Sequence, residues 1–436
     1  FGWDKIEDNF RNNAAAHKVV PNFPAPRKEQ VDKALELIKN AENPIVYFGH
    51  GAEDASAELK EFSDKFKMPL VSSVLGKGIV EDEFPAYMGS IGRVGAKPSN
   101  DIQTHADLVV WVGNNSPFSV FFFNPNAKVI QIDINSERLG KRHAVTVPML
   151  ADAKKTLRAL IEAGESRPES PLYKAALADR ENWEAWLESF NDSDEIPMRV
   201  EPIFDVINKK AADDAVFAVD VGNVNINFDR LMHLHGDQKW TTSGLYATMG
   251  YGAPASLAAA TIYPNREVWN LAGDGGFAMM NQELLTQARY NMHVINVVFT
   301  NETLGFIEAE QVDESHQPLS GVKLPDNDWA MSAEGMNVKG FTVRNKREFE
   351  DAVTAAQQME GPVLIDCKIT HDMPYSTELN TLDDPAFVAK YDAQALKPFS
   401  YFAGKYGVEA DAASGASEHT DAEPVEAEED LSLIHI

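Results

Sequence analysis

Cysteine is almost absent: one residue, Cys367, in a chain of 436. No internal disulfide can form, and Cys367 sits in the apolar run "PVLIDCKIT", which reads as a buried core thiol in a reducing, cytoplasmic setting. Positive charge is short as well. Lys and Arg total 39 against 67 Asp and Glu, a formal net charge of −28. A phosphate backbone would be repelled by such a surface, so no nucleic-acid partner is expected. No run reaches the roughly 18 uncharged apolar residues that a membrane helix needs, so no membrane partner is expected either. The longest apolar patches, "LVVWVG" and "VINVVF", are of strand length.

What is present is globular: 44% hydrophobic and 24% charged residues, with length enough for about two or three domains. The ends read differently. Residues 1–19 resemble an interdomain connector more than a domain start, and 376–436 form an extension whose stretch "GASEHTDAEPVEAEED" reads as a solvated, disordered acidic tail. The terminal "LSLIHI" reads as an apolar scrap foreign to the protein.

Between the ends, helix and strand patterns alternate. Helical spacing in "RKEQVDKALELIKNAE" is followed by the short apolar strand "NPIVYFGHGA"; "DASAELKEFSDKFK" is helical again, and "MPLVSSV", "ADLVVWVGNN" and "AKVIQIDIN" read as strands. Continuous apolar strands between amphipathic helices imply a parallel sheet covered on both faces. This doubly wound α/β unit is placed at 20–165, followed by a Pro-punctuated linker with one or two helices at 166–197. A second alternation fills 198–375, through "EPIFDVINKKA", "AVFAVDVGN", "GAPASLAAATIY", "REVWNLAGDGG" and "HVINVVFTN". The fold class is therefore α/β, with two tandem doubly wound domains and mainly parallel sheets.

Such sheets bind ligands at the carboxyl ends of their strands, near the switch in strand order. The glycine and polar residues collect at those ends: Gly49-His50-Gly51, Gly113-Asn114-Asn115, Asp133, Gly222-Asn223 and Gly273-Asp274-Gly275. The last group is the most informative. A glycine turn opening into a helix offers N–H groups to an anion, and Gly275 and Gly276 allow close backbone approach. Asp274 would repel a naked diphosphate, so a hard divalent cation such as Mg²⁺ is expected between them. Asn301, at the tip of the next strand, would add an amide oxygen, and Thr303 a backbone carbonyl. Gly-Asp-Gly alone is usually only a turn; the stronger signal is strand, GDG, helix, strand and Asn, with 27 positions from Asp274 to Asn301.

In that combination the chain resembles the thiamine-diphosphate (ThDP) enzymes. "LYATMGYGAPASLAAA" is similar to the family segment whose methionine, here Met249, props the cofactor into a bent shape. "AVDVGN" and "TNETLGFIEAEQ" resemble the pyruvate oxidases, the FAD-containing branch. The resemblance implies that Val221, Phe306 and Glu310 line the reacting carbon, with Asn223 among the cofactor contacts. It departs at Thr303, where some relatives have glutamine.

"YFGHGA" alone is a weak dinucleotide fingerprint, since it has no third glycine. The resemblance adds that the first domain binds FAD, through the segments "FGHGA", "MGSIGRVGAKPSN", "VGNNSPF", "QIDINSERLGKRH" and "LADA". On this reading Asp133 accepts from the ribose or near the adenine, Arg93 faces the pyrophosphate, and Asn114 and Asn115 approach the flavin ring. It further implies a pyrimidine-binding domain with an activating carboxylate, supplied across a dimer interface and not visible before Phe1. The chain is therefore expected to be inactive alone and, in its full-length form, a homo-oligomer (a dimer of dimers).

The activity so implied is oxidation of pyruvate with phosphate and O₂ to acetyl phosphate, CO₂ and H₂O₂, using ThDP, Mg²⁺ and FAD. An acetolactate synthase-like carboligase and a quinone-linked pyruvate dehydrogenase are the alternatives within the class. A non-catalytic cofactor-binding scaffold is the alternative outside it. His233 and His235 in "MHLHG" read as a solvated helix end, not a metal site.

Overall fold

The computed structural model describes residues 23–92, 95–117, 123–311 and 318–371. Two six-stranded sheets organise them, and every strand pairing in both is parallel. The first contains β1 (Pro44–Phe48), β2 (Leu70–Ser72), β3 (Tyr87–Ser90), β4 (Leu108–Val112), β5 (Lys128–Asp133) and β6 (Val147–Leu150), in the order β3-β2-β1-β4-β5-β6. Every residue of β1 and β4 is buried, as expected for strands covered on both faces. The order reverses between these two, so the crevice of this sheet opens beyond Phe48 and Val112.

The second sheet contains β7 (Val216–Val219), β8 (Lys239–Thr241), β9 (Val268–Gly273), β10 (Val294–Thr300), β11 (Lys339–Val343) and β12 (Val363–Lys368), ordered β11-β12-β10-β9-β7-β8. From β7 the chain first runs outward to β8 and then returns to β9 on the other side. The resulting switch lies between the tips of β7 and β9, which carry Asp220-Val221-Gly222 and Gly273-Asp274.

Helices cover both sheets because their apolar residues fall on one face. In the helix Lys28–Asn40, Val31, Ala34 and Ile38 are buried at spacings of three and four. Asp152 caps the helix Ala153–Ala163 by accepting from Lys155 N at 2.9 Å. Cys367 lies fully buried in β12, and burial pushes its thiol well up, which makes it an inert core residue. Among the described residues no helix is long and apolar enough to cross a membrane.

The linker is an 18-residue helix, Pro171–Glu188, started by Ser170. It is pinned to the first domain by charge: Asp179 lies 3.5 Å from Lys97 Nζ, which is also paired with Asp101, and all three side chains are buried. The two sheets meet at a second polar seam. Leu234 N donates to Asp82 Oδ2 at 2.9 Å, Trp240 Nε1 to Lys77 O at 2.9 Å, and Arg230 Nε to Gly95 O at 2.9 Å. Ser90 Oγ donates to Asp229, and Lys77 pairs with Asp82 at 2.8 Å.

Burial raises the Asp229 carboxyl to about 6, against the pull of Lys77 and the Ser90 hydroxyl. Since the folded value lies above the ordinary 3.8, the penalty is absent below 3.8, grows with pH and is complete above about 6. Asp229→Asn, whose amide oxygen can still accept from Ser90, is therefore expected to raise the melting temperature near pH 8. The gain is at most about 3 kcal/mol, shrinking as the pH falls. Melting both proteins across a pH series checks this; a gain independent of pH would contradict it.

Candidate cofactor site

A single cavity of ≈ 1390 Å³ runs between the switch points of the two sheets. From the first domain it is lined by His50 and Gly51 after β1 and by Asn114 and Asn115 after β4. From the second come Val221 and Asn223 after β7, Met249, the run Gly273 to Gly276, then Asn301, Thr303, Phe306 and Glu310. Gly49 and Asp133 are not among the residues that line it, and Arg93 lies outside the described residues.

Asp274 is the first residue of the helix Asp274–Met280. Its Oδ1 accepts from Gly275 N and its Oδ2 from Glu302 N, each at 2.9 Å. Burial raises its carboxyl to about 6, and the charge of Asp366 adds to the rise; only N–H groups oppose it. Among the described residues no basic side chain pairs with this carboxylate. Asn301 Oδ1 is 3.3 Å from Thr303 N. Thr303 turns its side chain away: the hydroxyl donates to Glu308 Oε2 at 2.6 Å, which holds the Glu308 carboxyl below its usual range. Among the described residues no hydrogen bond uses the Thr303 carbonyl. One carboxylate, one amide oxygen and one free carbonyl form a donor set that suits a hard, oxygen-seeking cation. His233 and His235 contribute nothing of the kind, and no cluster of three His, Cys, Asp or Glu that could hold a metal occurs among the described residues.

Gly275 and the Gly276 that follows it have packing reasons of their own. A Cβ on Gly275 would stand 2.5 Å from Leu304 and one on Gly276 would stand 2.9 Å from the Asp220 carboxylate. Asp220, unassigned in the sequence, organises this wall. It is buried at the tip of β7 and accepts from Val221 N at 2.7 Å and from Gly250 N and Gly252 N at 3.0 Å. These bonds tie the tip of β7 to the segment carrying Met249 and to the start of the helix Gly252–Ile262. The only hint in the sequence is an acid at the end of an apolar strand, "AVDVGN", next to a glycine; Gly222 has φ of +130°.

Phe306 and Glu310 are four residues apart at the helix Gly305–Ala309, so they share one face, and both line the cavity. The approach is tight: a Cβ on Gly305 would stand 2.3 Å from Asn223 Nδ2 and 3.5 Å from Asn301 Nδ2. On the first-domain side, Asn114 is buried and donates to Phe48 O at 3.3 Å, while Asn115 Oδ1 accepts from Arg142 Nε at 3.2 Å. Asp133 Oδ1 accepts from Asn135 N at 2.8 Å. Its Oδ2 is buried without a hydrogen-bond partner among the described residues, 3.9 Å from Arg138. Asn100, Thr104 and Arg138 also line the cavity and were not singled out from the sequence.

Comparison with known families agrees with this layout. Residues 31–160 match the thiamine pyrophosphate enzyme central domain, and residues 220–367 the thiamine pyrophosphate enzyme C-terminal TPP binding domain. The chain is 40% identical over 422 residues to a pyruvate oxidase of Lactiplantibacillus plantarum, covering 93% of this chain and 70% of that protein. It is 33% identical over 351 residues to the putative thiamine pyrophosphate-containing protein YdaP of Bacillus subtilis, covering 80% and 60%. A probable acetolactate synthase large subunit of Methanocaldococcus jannaschii is 29% identical over 360 residues, covering 78% and 60%. The chain thus spans between about three fifths and 70% of the length of these relatives. With two matching domains and this degree of identity, the chain belongs to the thiamine-diphosphate enzyme family, in its pyruvate oxidase branch.

Proposed function

We propose that this chain supplies the flavin and diphosphate portions of a pyruvate oxidase. The reaction is oxidation of pyruvate with phosphate and O₂ to acetyl phosphate, CO₂ and H₂O₂, with ThDP, Mg²⁺ and FAD as cofactors. The observation that carries this reading is the single cavity joining the switch points of both sheets, since it would let a nucleotide on one face a diphosphate on the other.

The Asp274 carboxylate, Asn301 Oδ1 and the Thr303 carbonyl would hold Mg²⁺, and the N–H groups around Gly275 and Gly276 would meet the diphosphate. When bound, the thiazolium supplies a carbon nucleophile for the keto group and an electron sink for loss of CO₂. The residues around it shape the space. Met249 props the cofactor; its Cε lies 3.5 Å from the position a Cβ on Gly275 would take. Val221, Met249 and Phe306 exclude water from the reacting carbon, and Glu310 stands on the entry path of phosphate. Asn223 closes the wall against Gly305. Gly49, His50, Gly51, Asn114, Asn115, Asp133 and Arg93 would hold FAD.

Among the described residues, the carboxylates lining the cavity are Asp274 and Glu310. The carboxylate that activates the aminopyrimidine would therefore come from elsewhere, across a subunit interface. Leu245 and Tyr246, 83% and 91% exposed beside the Met249 segment, suit coverage by a second copy in a homo-oligomer. A cytoplasmic setting accords with the cysteine content.

The test is made on pyruvate. Full-length protein that carries FAD, or takes it up on reconstitution, should form acetyl phosphate with peroxide when given ThDP, Mg²⁺ and phosphate. Acetolactate without oxygen uptake would favour the carboligase, a reading that the acetolactate synthase relatives keep open. Protein that cannot be reconstituted with FAD would overturn the oxidase reading in favour of a scaffold.

A further inference from the structure

We infer that Glu308, together with His371, is a positioning residue that holds both the Asn301–Thr303 loop and the helix bearing Phe306 and Glu310. This rests on the proposed roles of those residues.

A ring of contacts joins three separate parts of the second domain. Thr303 Oγ1 donates to Glu308 Oε2 at 2.6 Å and also reaches Val322 O at 3.3 Å. His371 Nε2 lies 3.1 Å from the Glu308 carboxylate, and His371 Nδ1 lies 3.3 Å from the Asn301 carbonyl oxygen. The ring runs from Asn301 through Glu302 to Thr303 along the backbone, across to Glu308, and back through His371. It ties the tip of β10 to the segment after β12, and both to the helix Gly305–Ala309.

The loop needs such fixing. Glu302 adopts a left-handed conformation, φ +59°, which a residue with a Cβ holds only when its surroundings dictate it. Glu302 N donates to Asp274 Oδ2 at 2.9 Å, and its carbonyl accepts from Leu324 N at 2.8 Å. The Thr303–Glu308 bond adds a side-chain tie between this loop and the body of the helix that follows. It also gives the Thr303 hydroxyl a partner other than a cation and leaves the carbonyl of the same residue for the metal. Glu308 lies between Phe306 and Glu310 in the chain, so a change in its anchorage would turn the face that both present to the cavity.

A merely stabilising ion pair would behave otherwise. His371 is 58% exposed at its side chain, and exposed pairs add little to global stability. A positioning role predicts a local effect at nearly constant melting temperature. The measurements are hydrogen–deuterium exchange of the peptide 301–311 without cofactor, and Mg²⁺-dependent ThDP binding by calorimetry. Glu308→Ala and Thr303→Val are each expected to speed exchange of that peptide by about tenfold and to weaken Mg²⁺-dependent binding by about tenfold. Thr303→Ser, which keeps the hydroxyl, should restore both, and His371→Ala should have the smaller effect because one contact of the ring remains. Wild-type exchange in Glu308→Ala and Thr303→Val would overturn the inference, as would Thr303→Ser behaving like Thr303→Val. The exchange measurement needs no cofactor, so it decides the matter even if the wild-type chain fails to bind Mg²⁺ and ThDP. That failure would count against the functional reading alone.

Discussion

Asp274→Ala in the full-length protein is expected to abolish Mg²⁺-dependent binding of ThDP, with a loss of at least about a hundredfold. Second-sphere changes around metals already cost about 10–100-fold, and Asp274 would contact the metal itself. The carboxylate is the one full negative charge in the proposed donor set, and among the described residues no basic side chain pairs with it. Its removal also frees Gly275 N and Glu302 N, so part of the effect would pass through the backbone of the turn. Melting separates the two contributions. In the wild type, Mg²⁺ with ThDP at about 100 times the dissociation constant should stabilise the protein by about 2.7 kcal/mol. In Asp274→Ala that ligand-induced shift should vanish, whatever happens to the melting temperature without ligand. A variant that bound ThDP and Mg²⁺ undiminished would remove Asp274 from the metal site.

The tips of the central strands were legible in the sequence because chemistry interrupts an apolar pattern there. Asp274 and Asn301 each end a run of buried residues, and nothing in a core calls for either. The two parallel sheets were legible for the same reason, in that β1 and β4 are apolar throughout and β10 is so apart from Asn296 and Thr300. The edge strands were not: β3, β6, β8 and β11 are three to five residues long, and β3, β8 and β11 are only partly apolar. Nor was the helix Lys97–His105, written "KPSNDIQTH". It is almost entirely buried, but through polar means. Lys97 is paired with Asp101 and Asp179, Ser99 donates to backbone carbonyls, and Asn100 exchanges hydrogen bonds with Gly92. Apolar periodicity cannot report burial of that kind. Asp220 and the Thr303–Glu308–His371 ring escaped for a related reason: Asp220 bonds to backbone groups and His371 is distant in sequence from Asn301 and Glu308, so only folding brings them together.

Phe306→Ala should slow turnover of pyruvate by about a hundredfold or more while changing ThDP affinity only a few-fold, an asymmetry that follows from where the side chain stands. Phe306 lines the cavity, whereas the proposed diphosphate anchors, Asp274, Asn301 and the Gly275–Gly276 backbone, lie on other elements. A cofactor held by its diphosphate does not need an aromatic ring for affinity. Chemistry at its far end does, because charge that disperses at the reacting carbon is quenched when water enters. Phe306 also lies in the first turn of the helix that Glu310 follows, so the truncation opens the wall on the side where phosphate would enter. Phe306→Leu refills part of the volume without the ring and should fall between wild type and alanine in rate. The comparison is rate of flavin reduction and of acetyl phosphate formation against ThDP affinity, all on the active enzyme. A loss of ThDP affinity as large as the loss of rate would mean that Phe306 supports the cofactor's seat and not the reacting carbon. If the affinity holds and acetolactate becomes the main product, the side chain instead governs which acceptor reaches that carbon.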